Sequence, residues 1–240
     1  MRCVFCQSRA ATEDEHVFPK SWYPTTTPLT VQRLTVPVCG ICADDFEKAE
    51  RAFALPIIMG LDSDHPDMAG VAHGFGRSWQ FESAANAKDA KHRADRLRRM
   101  WREVQFVVPP GDDPEPNRPK VCARTLAGLH VTASPAFPLE RKAEMRIAEK
   151  FVRGFYYRDF GTPLPATTEV RFFWGNVLDP ASRAELYKLR LNESLAPGLR
   201  YRVATDRGRS LWLFLLWGQC EFGAVAGAPE SSSDEDRSRT

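Results

Sequence analysis

The sequence predicts an α+β protein: a small cysteine-clamped module at the N-terminus, then a basic helix, then a C-terminal α+β domain with an antiparallel sheet. Three observations carry that expectation. Four cysteines fall as two short pairs, Cys3-Val-Phe-Cys6 and Cys39-Gly-Ile-Cys42, with 32 residues between them. Apolar residues recur at helical spacing from Leu139 to Tyr157, where Ala143, Ile147, Phe151 and Phe155 share a face with Met145, Ala148 and Val152. Three β-prone runs, Tyr201 to Thr205, Leu211 to Trp217 and Glu221 to Val225, then follow one another, and Asp206-Arg-Gly-Arg209 joins the first two as a turn.

In chain order, residues 1–60 form the cysteine module. Thiolates paired at this spacing suit tetrahedral zinc, so Cys3, Cys6, Cys39 and Cys42 are predicted to hold one structural Zn²⁺. The stretch between the pairs should run strand, loop, strand, with Val31 to Val38 as the second strand. Asp44-Asp45 suits a helix start, because acids favour the positive N-terminal end. Phe46, Ala49, Phe53 and Ile57 continue it, and Pro56 should end or kink it near Leu55.

Residues 61–119 read as a connecting region. Residues 60–82 are rich in Gly, Asp, His and Pro and are expected as loop. Ala84 to Glu103 reads as a charged helix with seven Lys or Arg against three acids. Val104 to Val108 reads as a short strand. The proline-dense run Pro109 to Pro119 is the linker candidate. Residues 120–226 make the C-terminal domain: the helix from Leu139, a strand at Val170 to Trp174, a helix from Asp179-Pro180 through Leu191 with Asp179 as N-cap, and the three strands. Residues 227–240, polar and acidic, read as a disordered tail.

Composition sets limits. No run approaches the roughly 18 apolar residues that a membrane span needs, so no membrane partner is expected. No signal peptide is read at the N-terminus. Paired CxxC cysteines with two isolated thiols, Cys122 and Cys220, fit a reducing compartment, the cytoplasm, better than a disulfide framework. Net charge is +2 overall, too weak a bias to indicate nucleic acid by itself. The C-terminal aromatics, among them Phe172, Trp212, Phe214 and Trp217, read as core rather than as a base-stacking platform.

The order CxxC, then Glu15-His16-Val-Phe-Pro19, then CxxC leading into an acidic helix resembles the zinc-bearing HNH endonucleases of the ββα-metal, treble-clef type. The resemblance covers residues 3 to about 55. It implies metal-dependent cleavage of DNA phosphodiester bonds, with His16 as general base and Glu15 as a ligand of a catalytic Mg²⁺ or Mn²⁺. It also implies a role such as phage defence, a mobile element or DNA processing. The family's Asn after the last cysteine is replaced by Ala43; Asp44 or Glu47 is the candidate to supply the missing oxygen.

Two further readings stand beside it. The Lys88 to Arg102 stretch, with Lys88, Lys91, Arg96 and Arg99 as phosphate contacts and His92 and Trp101 as stacking groups, points to DNA. Its alternative is an exposed helix of mixed ion pairs. With Ala43, the module can also be a catalytically degenerate zinc module that recognises nucleic acid or protein. Apart from these, the C-terminal domain can be the functional part, as a sensor or a surface for a second copy or a partner protein, with the zinc module as its effector. Glu13 and Asp14 read as a solvated acidic turn, and His65 and His73 as solvated loop histidines.

Overall fold

The computed structural model describes residues 1–103, 105–107, 121–124, 130–136, 140–188, 192–193, 198–206 and 208–227. The described elements are α+β with antiparallel sheets. The expected 109–119 linker, the 228–240 tail, residues 189–191, the Cys122 thiol and the Trp101 ring lie outside the described residues.

Strands β1 (Glu13–His16) and β2 (Thr35–Val38) pair antiparallel, with Glu15 opposite Val36 and His16 opposite Thr35. Helix α1 (Gly40–Met59) follows at once. It begins four residues earlier than Asp44, because the second cysteine pair is itself the first turn: Ala43 N–H donates to the Cys39 carbonyl. Nor does Pro56 end it. An interior proline costs roughly 3 kcal/mol. The next turn buries Ile57 and Ile58, at about 1.5–3 kcal/mol each, which offsets that cost.

The expected loop at 60–82 contains a helix, α2 (Val71–Trp79), after a short 3-10 turn at Pro66–Met68. Gly74 and Gly76 depress its intrinsic propensity, but Met68 and Val71 are buried, and tertiary packing overrides propensity. Gly70 starts it at φ +73, and a Cβ there would lie 2.4 Å from Thr25. Helix α3 (Ala87–Glu103) is the basic helix, and β3 (Gln105–Val107) follows it. Two strands that the sequence reading did not assign, β4 (Val121–Arg124) and β5 (His130–Ala136), join β3 in the order β3-β5-β4.

The C-terminal half matches its expected elements closely. Helix α4 (Arg141–Phe160), β6 (Glu169–Trp174), α5 (Pro180–Lys188), the short β7 (Asn192–Glu193), β8 (Leu199–Asp206), β9 (Arg209–Leu216) and β10 (Cys220–Gly227) build a sheet of order β6-β10-β9-β8-β7. Asp179 caps α5 by accepting from the N–H groups of Ala181 and Ser182.

One buried apolar cluster runs through both ends of the chain. Trp22 and Phe53 of the first 60 residues pack on Phe151, Trp217 and Phe222 of the C-terminal half. Trp217 Nε1–H donates to the Trp22 carbonyl at 2.9 Å. Gly154 lets α4 approach Val17, the residue after β1. The cysteine module and the sheet therefore share a core, and α4 is the element between them.

Candidate metal centre and adjoining cleft

The two cysteine pairs meet because β2 returns the chain to its start. Val4 N–H donates to the Pro37 carbonyl at 2.9 Å, and Gln7 turns the first knuckle at φ 54 with its N–H on the Cys3 carbonyl. The four sulfurs all lie within 4.8 Å of one another, with Cys6 and Cys39 Sγ 3.8 Å apart. Tetrahedral zinc with Zn–S of about 2.3 Å has an S–S edge of roughly 3.8 Å, so the quartet can hold a metal ion such as zinc.

Its electrostatics fit the same role. Burial pushes the Cys6 thiol up, but hydrogen bonds from Ser8 and Arg9 bring it down to about 6. Cys39 is lowered too, against burial, by hydrogen bonds that include the Cys42 N–H. Burial raises Cys42, and the neighbouring sulfurs raise it further. Some of these thiols therefore favour the thiolate, but their mutual repulsion resists full ionisation until a cation joins them.

Beside the hairpin lies an open cleft of about 610 Å³, lined by Glu15, His16, Lys20, Ser21, Glu47, Glu50 and Arg51 over Pro19, Trp22 and Phe75. Alternation along a strand separates Glu15 from His16. Both nonetheless line this cleft. His16 Nδ1 is buried and has no hydrogen-bond partner. Burial lowers the His16 pKa; Glu15 opposes the shift, and Arg33, Lys150 and Lys20 add to it. At neutral pH the ring is therefore neutral.

The acids divide differently from the sequence expectation. Glu15 reaches the ammonium of Lys150, which also holds Glu50 of α1. Lys150 lies on α4 and its side chain is 0% exposed. Burial raises Glu50, Lys150 opposes that, and Glu15 raises it further. Glu47 lines the cleft but is ion-paired with Arg51. Asp44 is exposed on α1 and is not among the cleft-lining residues, because the early helix start turns it outward. Glu13 and Asp14 are exposed, as expected. Of the histidines at 65 and 73, His65 accepts from the Asp67 N–H in a turn, and His73 is exposed.

A second catalytic ion of the Mg²⁺ kind does not fit this donor set. Glu15 is already neutralised by an ammonium, and Ala43 offers no oxygen. Among the described residues, the cysteine quartet is the group whose donor atoms converge.

A second groove of about 670 Å³ adjoins the cleft and shares Lys20, Ser21, Arg51 and Phe75 with it. Lys20, Lys48, Arg51, Arg77 and Arg96 line it, with Tyr23 and Thr25, and among the described residues no carboxylate does. Of the four α3 cations expected to contact phosphate, Arg96 lines this groove, whereas Lys88, Lys91 and Arg99 are exposed on α3 outside its lining. At about 100° per residue, Arg99 lies roughly 60° around the helix from Arg96 and Lys91 roughly 140°. Arg93 and Arg98 pair with Asp89 and Asp95, so α3 also carries the ion pairs of the alternative reading.

The sequence reading missed Glu50, Lys150 and the cations at 20, 48, 51 and 77. Lys48 and Arg51 share a helix face, which was a usable signal. Lys150 stands inside the apolar stripe of α4, and a lysine there needs a buried partner. Comparison of the chain with protein-family models, curated proteins and solved structures gives no match. Among the described residues no helix is long and apolar enough to cross a membrane.

Proposed function

We propose that the protein binds nucleic acid, DNA in the first instance, as an HNH-like module of treble-clef, ββα-metal type stapled by zinc. The observation that carries the reading is the continuity of the two depressions. A groove lined, among the described residues, by five cations and no carboxylate shares Lys20, Ser21, Arg51 and Phe75 with the His16 cleft. Such a groove suits a polyanionic backbone, and the half-buried Phe75 lies along its wall. The short β1–β2 hairpin, with α1 springing from the second cysteine pair, supports the treble-clef reading.

A second reading, the metal-dependent HNH endonuclease, is favoured by His16 and requires Glu15 to give up Lys150 for a divalent ion. Its ring faces the cleft in the neutral form, able to accept a proton from water near a phosphodiester held in the groove.

The test combines binding and nicking. Duplex and single-stranded DNA are titrated across a range of salt against wild type and a Lys48→Gln, Arg77→Gln, Arg96→Gln variant. The variant should bind more weakly, and its slope of log K on log salt should be flatter by roughly 0.9 for each duplex phosphate that the variant no longer neutralises. An unchanged slope removes the groove from the interface. Plasmid nicking with Mg²⁺ or Mn²⁺ that disappears in His16→Ala would put the endonuclease first. Nicking gained only on Ala43→Asn would mark the natural chain as a degenerate relative of such enzymes.

A further inference from the structure

Glu15 of β1 and Glu50 of α1 face one another at the floor of the cleft, and the group between them is the ammonium of Lys150. It arrives from α4, 135 residues after Glu15 in the chain, and its side chain is wholly buried. Two carboxylates drawn partly out of water repel, and each resists losing its hydration unless a cation lies between them. The arrangement therefore requires a cation, and the chain provides one from its own C-terminal half. Its neighbours keep it there. The Phe46 ring lies 5.5 Å from Lys150 Nζ, and Arg146, one turn earlier on α4, is engaged with Asp45 and Glu149.

We infer that Lys150 fills the place of a divalent ion in this cleft, so that the protein takes one metal ion, at the cysteines, and the cleft works without a second. A ligand of the cleft then meets neutral His16 and two carboxylates balanced from behind by a buried ammonium, rather than a Lewis acid. This assignment does not depend on what the neighbouring groove binds, so the nucleic-acid reading and this one can fail separately.

The probe is Mn²⁺, followed by electron paramagnetic resonance and by thermal unfolding of the zinc-loaded full chain. Wild type should bind no Mn²⁺ in a saturable way and show no shift in Tm. Lys150→Ala vacates the ammonium position and leaves Glu15 and Glu50 on either side of it. It should gain a saturable Mn²⁺ site at least about tenfold tighter than any wild-type binding, with a raised Tm by linkage. Folding of Lys150→Ala only when Mn²⁺ is supplied counts for the proposal as well. Saturable Mn²⁺ binding by wild type that Glu15→Gln abolishes would overturn it, and so would a folded Lys150→Ala that ignores Mn²⁺. If Lys150→Ala folds under neither condition, the triple variant Lys150→Met, Glu15→Gln, Glu50→Gln decides. Its folding without Mn²⁺ shows that Lys150 acts by charge balance, and its failure to fold overturns the assignment.

Discussion

The cysteine quartet and the His16 cleft are built on the same hairpin and the same helix, yet they are completed from different distances. All four sulfurs come from the first 42 residues, and backbone bonds within that stretch bring them together. The cleft takes its acids and histidine from the same stretch and from α1, but its balancing charge comes from α4, 100 residues beyond Glu50. The cysteine quartet is therefore a local device and the cleft a tertiary one. The cleft keeps its present chemistry only while the C-terminal half is docked. Each of the following perturbations tests one side of that contrast.

Removing the metal should have the largest effect. Structural zinc contributes on the order of 10–16 kcal/mol to folding in small modules, against a total stability of about 5–15 kcal/mol for a domain. Because Trp22 and Phe53 share a core with Trp217 and Phe222, a chelator should unfold both ends in one transition. Cys39→Ser should behave in the same way. Near-UV circular dichroism and amide exchange of β8 to β10 report on the C-terminal sheet. If that sheet keeps its native signal after zinc release, it folds alone, and the contrast between a local and a tertiary device must be redrawn.

A smaller effect is expected where α4 meets the hairpin. A Cβ at Gly154 would lie 2.4 Å from Val17 Cγ2 and 2.7 Å from Cγ1. Gly154→Ala should destabilise by about 1–3 kcal/mol, the usual cost of overpacking. Val17→Ala in that background should recover part of it, because it removes the clashing methyl groups. Urea unfolding measures both. A Gly154→Ala chain as stable as wild type would mean that α4 does not sit so closely on the hairpin, and Lys150 would lose its fixed position.

The contrast also explains which features were legible in the sequence. The cysteine pairs were, because ligands in a short loop impose a spacing that can be read directly. So were α4 and β6 to β10, whose buried faces repeat with the period of their elements. Helix α2 was not: Gly70, Gly74 and Gly76 look like loop residues, and the burial of Val71 at its start is a tertiary fact. That α1 continues past Pro56 was hidden for a similar reason, since the proline's cost is local and the compensating burial of Ile57 and Ile58 is tertiary. Within the cleft, His16, Glu15 and Glu47 were visible from motif and spacing. Lys150 was not, because no local pattern links it to acids a hundred residues away. Asp44 was misplaced because the helix start was set at the acids rather than at the cysteines.

The smallest expected effect is the most specific to the cleft. Burial lowers the pKa of His16, with Arg33, Lys150 and Lys20 adding to the shift and Glu15 opposing it. The sign follows from proton linkage. Above the ordinary histidine value of about 6.5, folded and unfolded chains both carry a neutral ring, and His16 adds no pH dependence. As pH falls below that value, the unfolded chain takes up its proton first, so the folded state loses stability. The loss stops growing once pH passes below the folded-state pKa. His16→Gln cannot titrate, so its stability should fall less than that of wild type between pH 7.5 and pH 5. The difference should be modest, because solvent screens a partly exposed ring. Urea unfolding of both chains at the two pH values isolates it, since the remaining carboxylates and histidines are common to both. Parallel pH profiles would place His16 in water rather than against the cleft floor. Its orphaned Nδ1 would then have a solvent partner, and the case for a neutral base in this cleft would fall.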